Sequence, residues 1–429
     1  TSSRCSSGGI CGSLKFAGCA VMRMMAELWG VLFPALKTLP IIAYIIMAPL
    51  LLTQSCTKKK CTIMAFPDLP TKFESYYDQR AVLIVLSTFC THILLSFIPI
   101  KTRILPNGAK SRGNGVVTLL LFCLAIPAAV YLKYNVQLIY TLVRQLLATY
   151  TVLGVLLGGF LYIKSYYAPR SQRNSRTVGH FLTDFVEGRE VTPRLGSLDL
   201  KSTLFRYSFI CLVIFNIVVI MRDVQLSKGV FSPVLTLVCA FQIIYAVDFL
   251  WFEDSFYTTW EYTKQGTGLL VAGFYCTLPF YFAVISRIVM NYRTVMPWYC
   301  LVSISLLFLT GYIIRRASNN QKNAFRNNPS SLAVAHLESV PTSAGTRLLV
   351  GGWWGVIRHP NYAGDILVQL ASALLCGFDH GLPWLFLGLS VLSLLVRSYE
   401  VEESCKQKYG LSWSNYAGRV KYKLIPKVF

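Results

Sequence analysis

"TLFRYSFICLVIFNIVVIM", Thr203 to Met221, holds a single charged residue, Arg206, in an otherwise apolar run. Stretches of about 18 or more apolar residues with few charges read as membrane-spanning helices, because a helix satisfies its own backbone hydrogen bonds in lipid. The rest of the chain repeats the pattern. Its 429 residues are 54% hydrophobic and 14% charged, with a mean hydropathy of +0.51, whereas soluble domains carry about 25% charged residues. Apolar spans are predicted at about 33–53, 81–100, 116–132, 145–163, 203–221, 230–251, 268–288, 297–314, 366–378 and 382–399. The ninth is short enough to be re-entrant or broken, so nine or ten crossings both fit. The expected fold is an all-α polytopic membrane protein of about ten helices, forming one domain over 30–429. The Ser/Gly/Cys-rich stretch 1–29 is left unassigned.

Lys and Arg number 41 against 19 Asp and Glu. With ten crossings, assigning each cation to its nearer loop puts 30 on the side of the termini and 11 on the other. The positive-inside rule then predicts cytosolic termini and cytosolic segments 101–115, 164–202 and 315–365. The basic excess also suits anionic lipid headgroups. No basic tail, zinc spacing or RNA-binding signature accompanies it, so no direct nucleic-acid partner is expected. Of the 13 cysteines, Cys90, Cys123, Cys211, Cys239 and Cys276 lie in apolar spans and read as small hydrophobes. Cys56 and Cys61 share a loop and are read as free thiols, with a disulfide the alternative. No CxxC pair or metal-binding His pair is present, and the five histidines at 92, 180, 336, 359 and 380 are scattered.

The polar residues cluster on the predicted cytosolic side. "GGWWGVIRHPNYAGD", Gly351 to Asp365, sets two tryptophans, an Arg-His-Pro-Asn-Tyr cluster and an acid just before an apolar span. Lys322 and Arg326 in "QKNAFRNNP" are four apart, so on a helix they share a face and present two cations to phosphate. Trp353 and Trp354 offer flat surfaces for a nicotinamide or adenine ring, and Asn361 and Tyr362 offer hydrogen-bonding groups. His359 precedes Pro360, which predicts an extended bend and the start of a new element. An interfacial turn is the plainer reading of the same residues, since Trp, Tyr, Arg and His favour the headgroup layer. No G-x-G-x-x-G follows a predicted strand, so a dinucleotide bound here would not use a Rossmann fold.

"QKNAFRNNP", "TRLLVGGWWGVIRHPNYAGD", "LLCGF", "CKQKYG" and "YAGRVKYKLIPKVF" resemble the sterol reductases of the Δ14, Δ7 and Δ24(28) type, whose membrane domain the lamin B receptor shares. The resemblance runs from about residue 30 to the end and is densest over 312–429. "GYIIRRASNNQKNAFRNNPS" is most similar to the Δ14-reductase and lamin B receptor branch. It implies a ten-helix fold in the endoplasmic reticulum or inner nuclear membrane, with NADPH near the cytosolic face beside a sterol pocket open to the bilayer. The cofactor contacts that it implies are Lys322, Arg326, Leu349, Trp354, Asn361, Tyr362, Cys405, Lys408, Tyr409 and Tyr416.

One departure bears on chemistry. The family's last long helix carries His-Arg-x-x-Arg-Asp-x-x-x-Cys, whereas "VRSYEVEESC" places Val396, Glu400 and Val401 where His, Arg and Asp are usual. At 100° per residue Arg397, Val401, Cys405 and Lys408 share one face, with Glu400 and Glu402 about 100° to either side of Val401. Glu402 is therefore a candidate acid only if the helix is irregular. Lesser departures are Thr183, Thr192 and Glu261, where Tyr, Asn and Asp are usual. Saturating an isolated sterol C=C bond needs a well-placed proton donor and a hydride. The resemblance therefore implies an NADPH-dependent sterol reductase, most readily for the C14–C15 bond, drawing its sterol from the bilayer. The alternative is a catalytically silent, lamin-B-receptor-like membrane protein with a structural or sterol-binding role; only that reading implies lamina or chromatin partners.

Overall fold

A computed structural model describes residues 70–98, 100–104, 110–169, 173–174, 179–342 and 345–426. The expected first span at 33–53, the segment 1–29 and the Cys56/Cys61 pair lie outside the described residues. Each of the other nine expected spans coincides with a helix. These are α1 (Gln79–Ser96), α2 (Gly115–Tyr131), α3 (Val143–Lys164), α4 (Leu200–Leu226), α5 (Pro233–Trp251), α6 (Leu269–Tyr292), α7 (Trp298–Asn327), α8 (Pro360–Leu374) and α9 (Gly381–Tyr409). A short amphipathic α10 (Leu411–Arg419) follows. Among the described residues, seven helices are long and apolar enough to cross a membrane, and α2 is a shorter apolar helix of 17 residues.

Local signals start the helices where the sequence changes character. Asp199 accepts a hydrogen bond from the Ser202 amide at 3.0 Å and caps α4, while Ser232 caps α5 ahead of Pro233 in the first turn. Pro360 opens α8 in the same way, where its missing N–H leaves no bond unmade. α4 and α6 form the centre of the bundle: 72% and 83% of their most apolar windows are buried, against 17% for α7 and 22% for α9. The exposed apolar sides of α7 and α9 therefore face lipid.

Three lengths position the functional end. α7 has 30 residues and α9 has 29, so each is about 45 Å long against a hydrocarbon core of about 30 Å. Their C-terminal turns, bearing Lys322, Arg326, Cys405 and Lys408, therefore project past the apolar zone. α8 has 15 residues, about 22 Å, too short to cross alone. It lies along α7 through a glycine contact: a Cβ on Gly364 would sit 2.6 Å from the Gly311 carbonyl oxygen, and one on Gly311 would sit 2.7 Å from Leu367 Cβ. Neither position has room for a side chain, and this close approach brings the start of α8 beside the end of α7.

The polar segments fold onto that end. Antiparallel hairpins form at β1–β2 (Lys101–Ile104 with Lys110–Gly113), β3–β4 (Arg194–Leu195 with Leu198–Asp199) and β5–β6 (Ser339–Pro341 with Arg347–Leu349). In the third, Ser339 pairs with Leu349 and Val340 with Leu348. The eight described cysteines are free thiols.

Candidate functional site

The β5–β6 hairpin joins the two overlong helices through the alternation of its side chains. Leu349 is buried with Phe325 of α7, Val334 and Trp354. Its neighbours Leu348 and Val350 face the opposite way, against Trp413, Tyr416, Val420, Cys405 and Tyr409. A strand's period of two places one face on α7 and the other on α9 and α10. Of the residues implied as cofactor contacts, Leu349 and Trp354 thus lie on one side of the hairpin and Cys405, Tyr409 and Tyr416 on the other.

Trp354 sits in a single helical turn, Trp353–Val356, entered through Gly352 at φ 61°. There is no space for a Cβ at Gly352, where it would meet the Gln321 side chain at 2.3 Å. Gln321 Oε1 accepts from the Trp353 amide at 3.0 Å, and Trp354 Nε1 donates to the Ser318 carbonyl at 2.9 Å. The tryptophan is thereby fixed flat beneath Lys322, whose Nζ lies 4.3 Å from its ring centroid. Lys322 has no hydrogen-bond acceptor or carboxylate partner among the described residues. Arg326, one turn on, donates to the Thr258 carbonyl at 2.7 Å and has no carboxylate partner among them either. Lys408 Nζ lies 4.8 Å from the Tyr409 ring centroid. Cys405 is near enough to Lys322, Arg326 and Lys408 for their charges to bear on its thiol.

Asn361 and Tyr362 occupy the first turn of α8. The buried Asn361 Oδ1 has no hydrogen-bond donor. Tyr362 stacks on His359 with centroids 5.0 Å apart and 4° between planes. Burial pushes the Tyr362 phenol up to about 12 and raises that of Tyr416, so both remain hydrogen-bond donors. Burial also holds the His359 imidazole below its ordinary value of 6.5.

Glu402 is paired with cations of the Arg-His-Pro turn and the C-terminal segment. Its Oε1 lies 3.1 Å from Arg358 Nη1 and 3.7 Å from His359 Nε2, and its Oε2 lies 3.2 Å from Lys423 Nζ. The Arg358 and His359 amides donate to the Tyr422 and Lys423 carbonyls at 2.9 Å each. Glu402 thus ties the C-terminal segment to the Arg-His-Pro turn. α9 is continuous through this region, so Val401 stays on the Arg397 face. Arg397 donates through Nη2 to Gln265 Oε1 at 2.8 Å and lies 4.4 Å from the Trp260 ring, but its buried Nη1 has no acceptor.

A second cluster lies one helical turn inward of Asn361. Tyr245 donates to Asp365 Oδ1 at 3.0 Å, and Arg315 Nε pairs with the same oxygen at 3.1 Å. Arg315 Nη1 reaches Asp248 Oδ2 at 2.6 Å. Asp248 also accepts from Arg316 Nε at 2.7 Å and from Tyr312 at 3.0 Å. Two carboxylates and two guanidiniums balance, roofed by Phe249 and Phe252, whose centroids lie 4.1 Å from Arg315 and 4.0 Å from Arg316. Of these residues, Asp365, Tyr312, Arg315 and Arg316 lie in the stretches quoted from the sequence, but none was given a role there. Asp248 in the apolar run "YAVDFL" was the available signal, because an acid inside a membrane helix needs a partner and marks a functional place.

The available residues fit a phosphorylated dinucleotide. Among the described residues Lys322 has no carboxylate partner and Asn361 Oδ1 has no donor, Trp354 supplies a fixed aromatic face, and Glu402 is paired with Arg358 and Lys423.

The fold defines a polytopic helical membrane protein that carries Lys322 and Arg326, without carboxylate partners among the described residues, at one end of its bundle. Residues 38–429 match the ergosterol biosynthesis ERG4/ERG24 family, and the chain belongs to that family. It is 33% identical over 386 residues to the Delta(14)-sterol reductase LBR of Gallus gallus, covering 88% of this chain and 60% of that protein. Identity is 36% over 319 residues to the Delta(14)-sterol reductase TM7SF2 of Mus musculus, covering 74% and 76%. To the Delta(14)-sterol reductase of Ascobolus immersus it is 30% over 378 residues, covering 83% and 87%. The chain thus spans less than two thirds of the first relative and about three quarters of the second.

Proposed function

We propose that this chain is an NADPH-dependent sterol reductase acting on the C14–C15 double bond. Support comes from the family, from relatives named Delta(14)-sterol reductase, and above all from the uncompensated Lys322 ammonium beside Trp354. Lys322 and Arg326 would hold phosphate, Trp354 and Leu349 would support a ring, and Asn361, Tyr362, Lys408, Tyr409 and Tyr416 would complete the cleft around Cys405. When bound, NADPH supplies hydride.

The proton is held by this chain's own residues. Tyr245 Oη donates to Asp365, whose carboxylate pairs with Arg315, and Arg315 pairs in turn with Asp248. Asp365 follows Asn361 by four residues on α8, about 6 Å further into the bundle, where a bilayer-borne ring would approach. Tyr245 is therefore the assigned proton holder. Glu402 suits that role poorly, because cations on both its oxygens favour the carboxylate, which accepts rather than supplies a proton.

The reading places the enzyme in the endoplasmic reticulum, with the inner nuclear membrane as a further site, and with both termini cytosolic. Its partners are a sterol and the surrounding lipids. One observation favours a second reading, a catalytically silent sterol-binding protein: Val401 leaves Arg397 without the acid that the family supplies one turn away. Titrating the detergent-purified chain with NADPH while following tryptophan fluorescence tests the cofactor assignment. Saturable quenching that Lys322→Gln weakens supports it, and quenching indifferent to that change refutes it.

A further inference from the structure

At the opposite end of the bundle, two guanidiniums lie near one tyrosine ring with no carboxylate partner among the described residues. Arg222, near the end of α4, lies 4.8 Å from the Tyr140 ring centroid, and Arg287, near the end of α6, lies 5.4 Å from it. Neither has a carboxylate partner among the described residues, and Arg222 Nε is buried with no acceptor. Tyr140 is held in place by donating to Asn291 Oδ1 at 3.2 Å and stacking on Phe215 at 6.5 Å. The neighbouring acid, Asp223, is engaged instead with the Ser232 amide, which its Oδ2 accepts at 3.1 Å. Arg144 is close enough for its charge to bear on Arg287 as well.

A guanidinium removed from water without an anion is costly. The tyrosine face offsets only part of that cost. An arginine fork matches phosphate oxygens in geometry as well as charge. We infer that Arg222 and Arg287, arranged about Tyr140, bind a phosphate group at the end of the bundle away from the cofactor cleft. At that level of a membrane protein its source is an anionic phospholipid headgroup or soluble phosphate.

The test reconstitutes the whole chain in phosphatidylcholine nanodiscs, alone, with phosphatidylglycerol, or with added inorganic phosphate, and reads the melting midpoint. The expected result is a rise of about 3–6 °C with phosphatidylglycerol, reduced in Arg222→Gln and in Arg287→Gln and absent in the double variant. The same rise with inorganic phosphate alone also supports the site and identifies a soluble ligand. No rise with either, or an equal rise in wild type and double variant, overturns the inference. If the double variant does not fold, native mass spectrometry of the wild type decides: one retained phosphatidylglycerol per chain, where phosphatidylcholine is lost, supports the site, and equal loss of both overturns it.

Discussion

The Lys322 ammonium lies 4.3 Å from the ring centroid of Trp354 and has neither an acceptor nor a carboxylate among the described residues. A half-buried lysine left in this state destabilises the empty protein and is relieved by an anion. Lys322→Gln should therefore weaken NADPH binding about tenfold to a hundredfold, since a charged hydrogen bond contributes ~1.5–3 kcal/mol. Melting of the cofactor-free chain should be unchanged or slightly higher. Equilibrium binding beside a melting curve checks both halves.

The Tyr245–Asp365 pair should separate chemistry from cofactor binding. Tyr245→Phe removes the assigned proton, and the expected loss in kcat is about 10²–10⁴-fold, the range for a general acid. NADPH affinity should stay within a factor of two or so, because the hydroxyl lies one turn inward of Asn361. A loss confined to cofactor affinity would reassign the tyrosine.

Asp248 carries a structural load instead. Arg315, Arg316 and Tyr312 all bond to it. Asp248→Asn would leave two buried guanidiniums facing one carboxylate, and breaking a buried pair costs about 3–5 kcal/mol. A large fall in the melting midpoint, whether or not NADPH is present, is expected.

The contact of Gly311 with Gly364 sets the distance between α7 and α8, so Gly364→Val should separate the Lys322 and Asn361 sides of the cleft. Overpacking costs about 1–3 kcal/mol or more. NADPH affinity is expected to fall together with stability, unlike Lys322→Gln, and the same two measurements tell them apart.

His359 sets an acid limit. Burial depresses its pKa in the folded chain below the ordinary 6.5. Below pH 6.5 the unfolded chain therefore takes up a proton that the folded chain resists, so stability falls as pH drops from 6.5 toward the depressed value. Each unit of depression corresponds to about 1.4 kcal/mol. His359→Gln should flatten that part of the stability-versus-pH curve, measured by melting between pH 7 and pH 5.

The helices were legible because lipid imposes a coarse rule: the apolar runs from 81 onward each coincide with a helix whose bounds differ mainly at the polar ends. α7 and α9 run far past their apolar segments, and nothing in hydropathy marks where such a helix stops. The pairing of Lys322 with Arg326 followed from a spacing of four, but the bonds of Trp354 to Ser318 and of Trp353 to Gln321 did not, since those contacts span 36 and 32 positions. The β5–β6 hairpin was missed because its strands have only three residues each. The Asp248–Arg316 pair spans 68 positions. No spacing rule reaches that far, although an acid inside an apolar run announced that some partner existed.

The most direct test of the central claim is reduction of a Δ8,14-sterol with NADPH in yeast microsomes lacking their own C14 reductase, comparing the unmodified chain with Val401→Asp. Turnover by the unmodified chain is expected, because Lys322 beside Trp354 and the Tyr245–Asp365 pair are both in place. Val401→Asp is expected to raise the rate by giving Arg397 an acid one turn away. No turnover by the unmodified chain, with activity appearing only in Val401→Asp, would contradict the account and make the natural protein a silent member of its family.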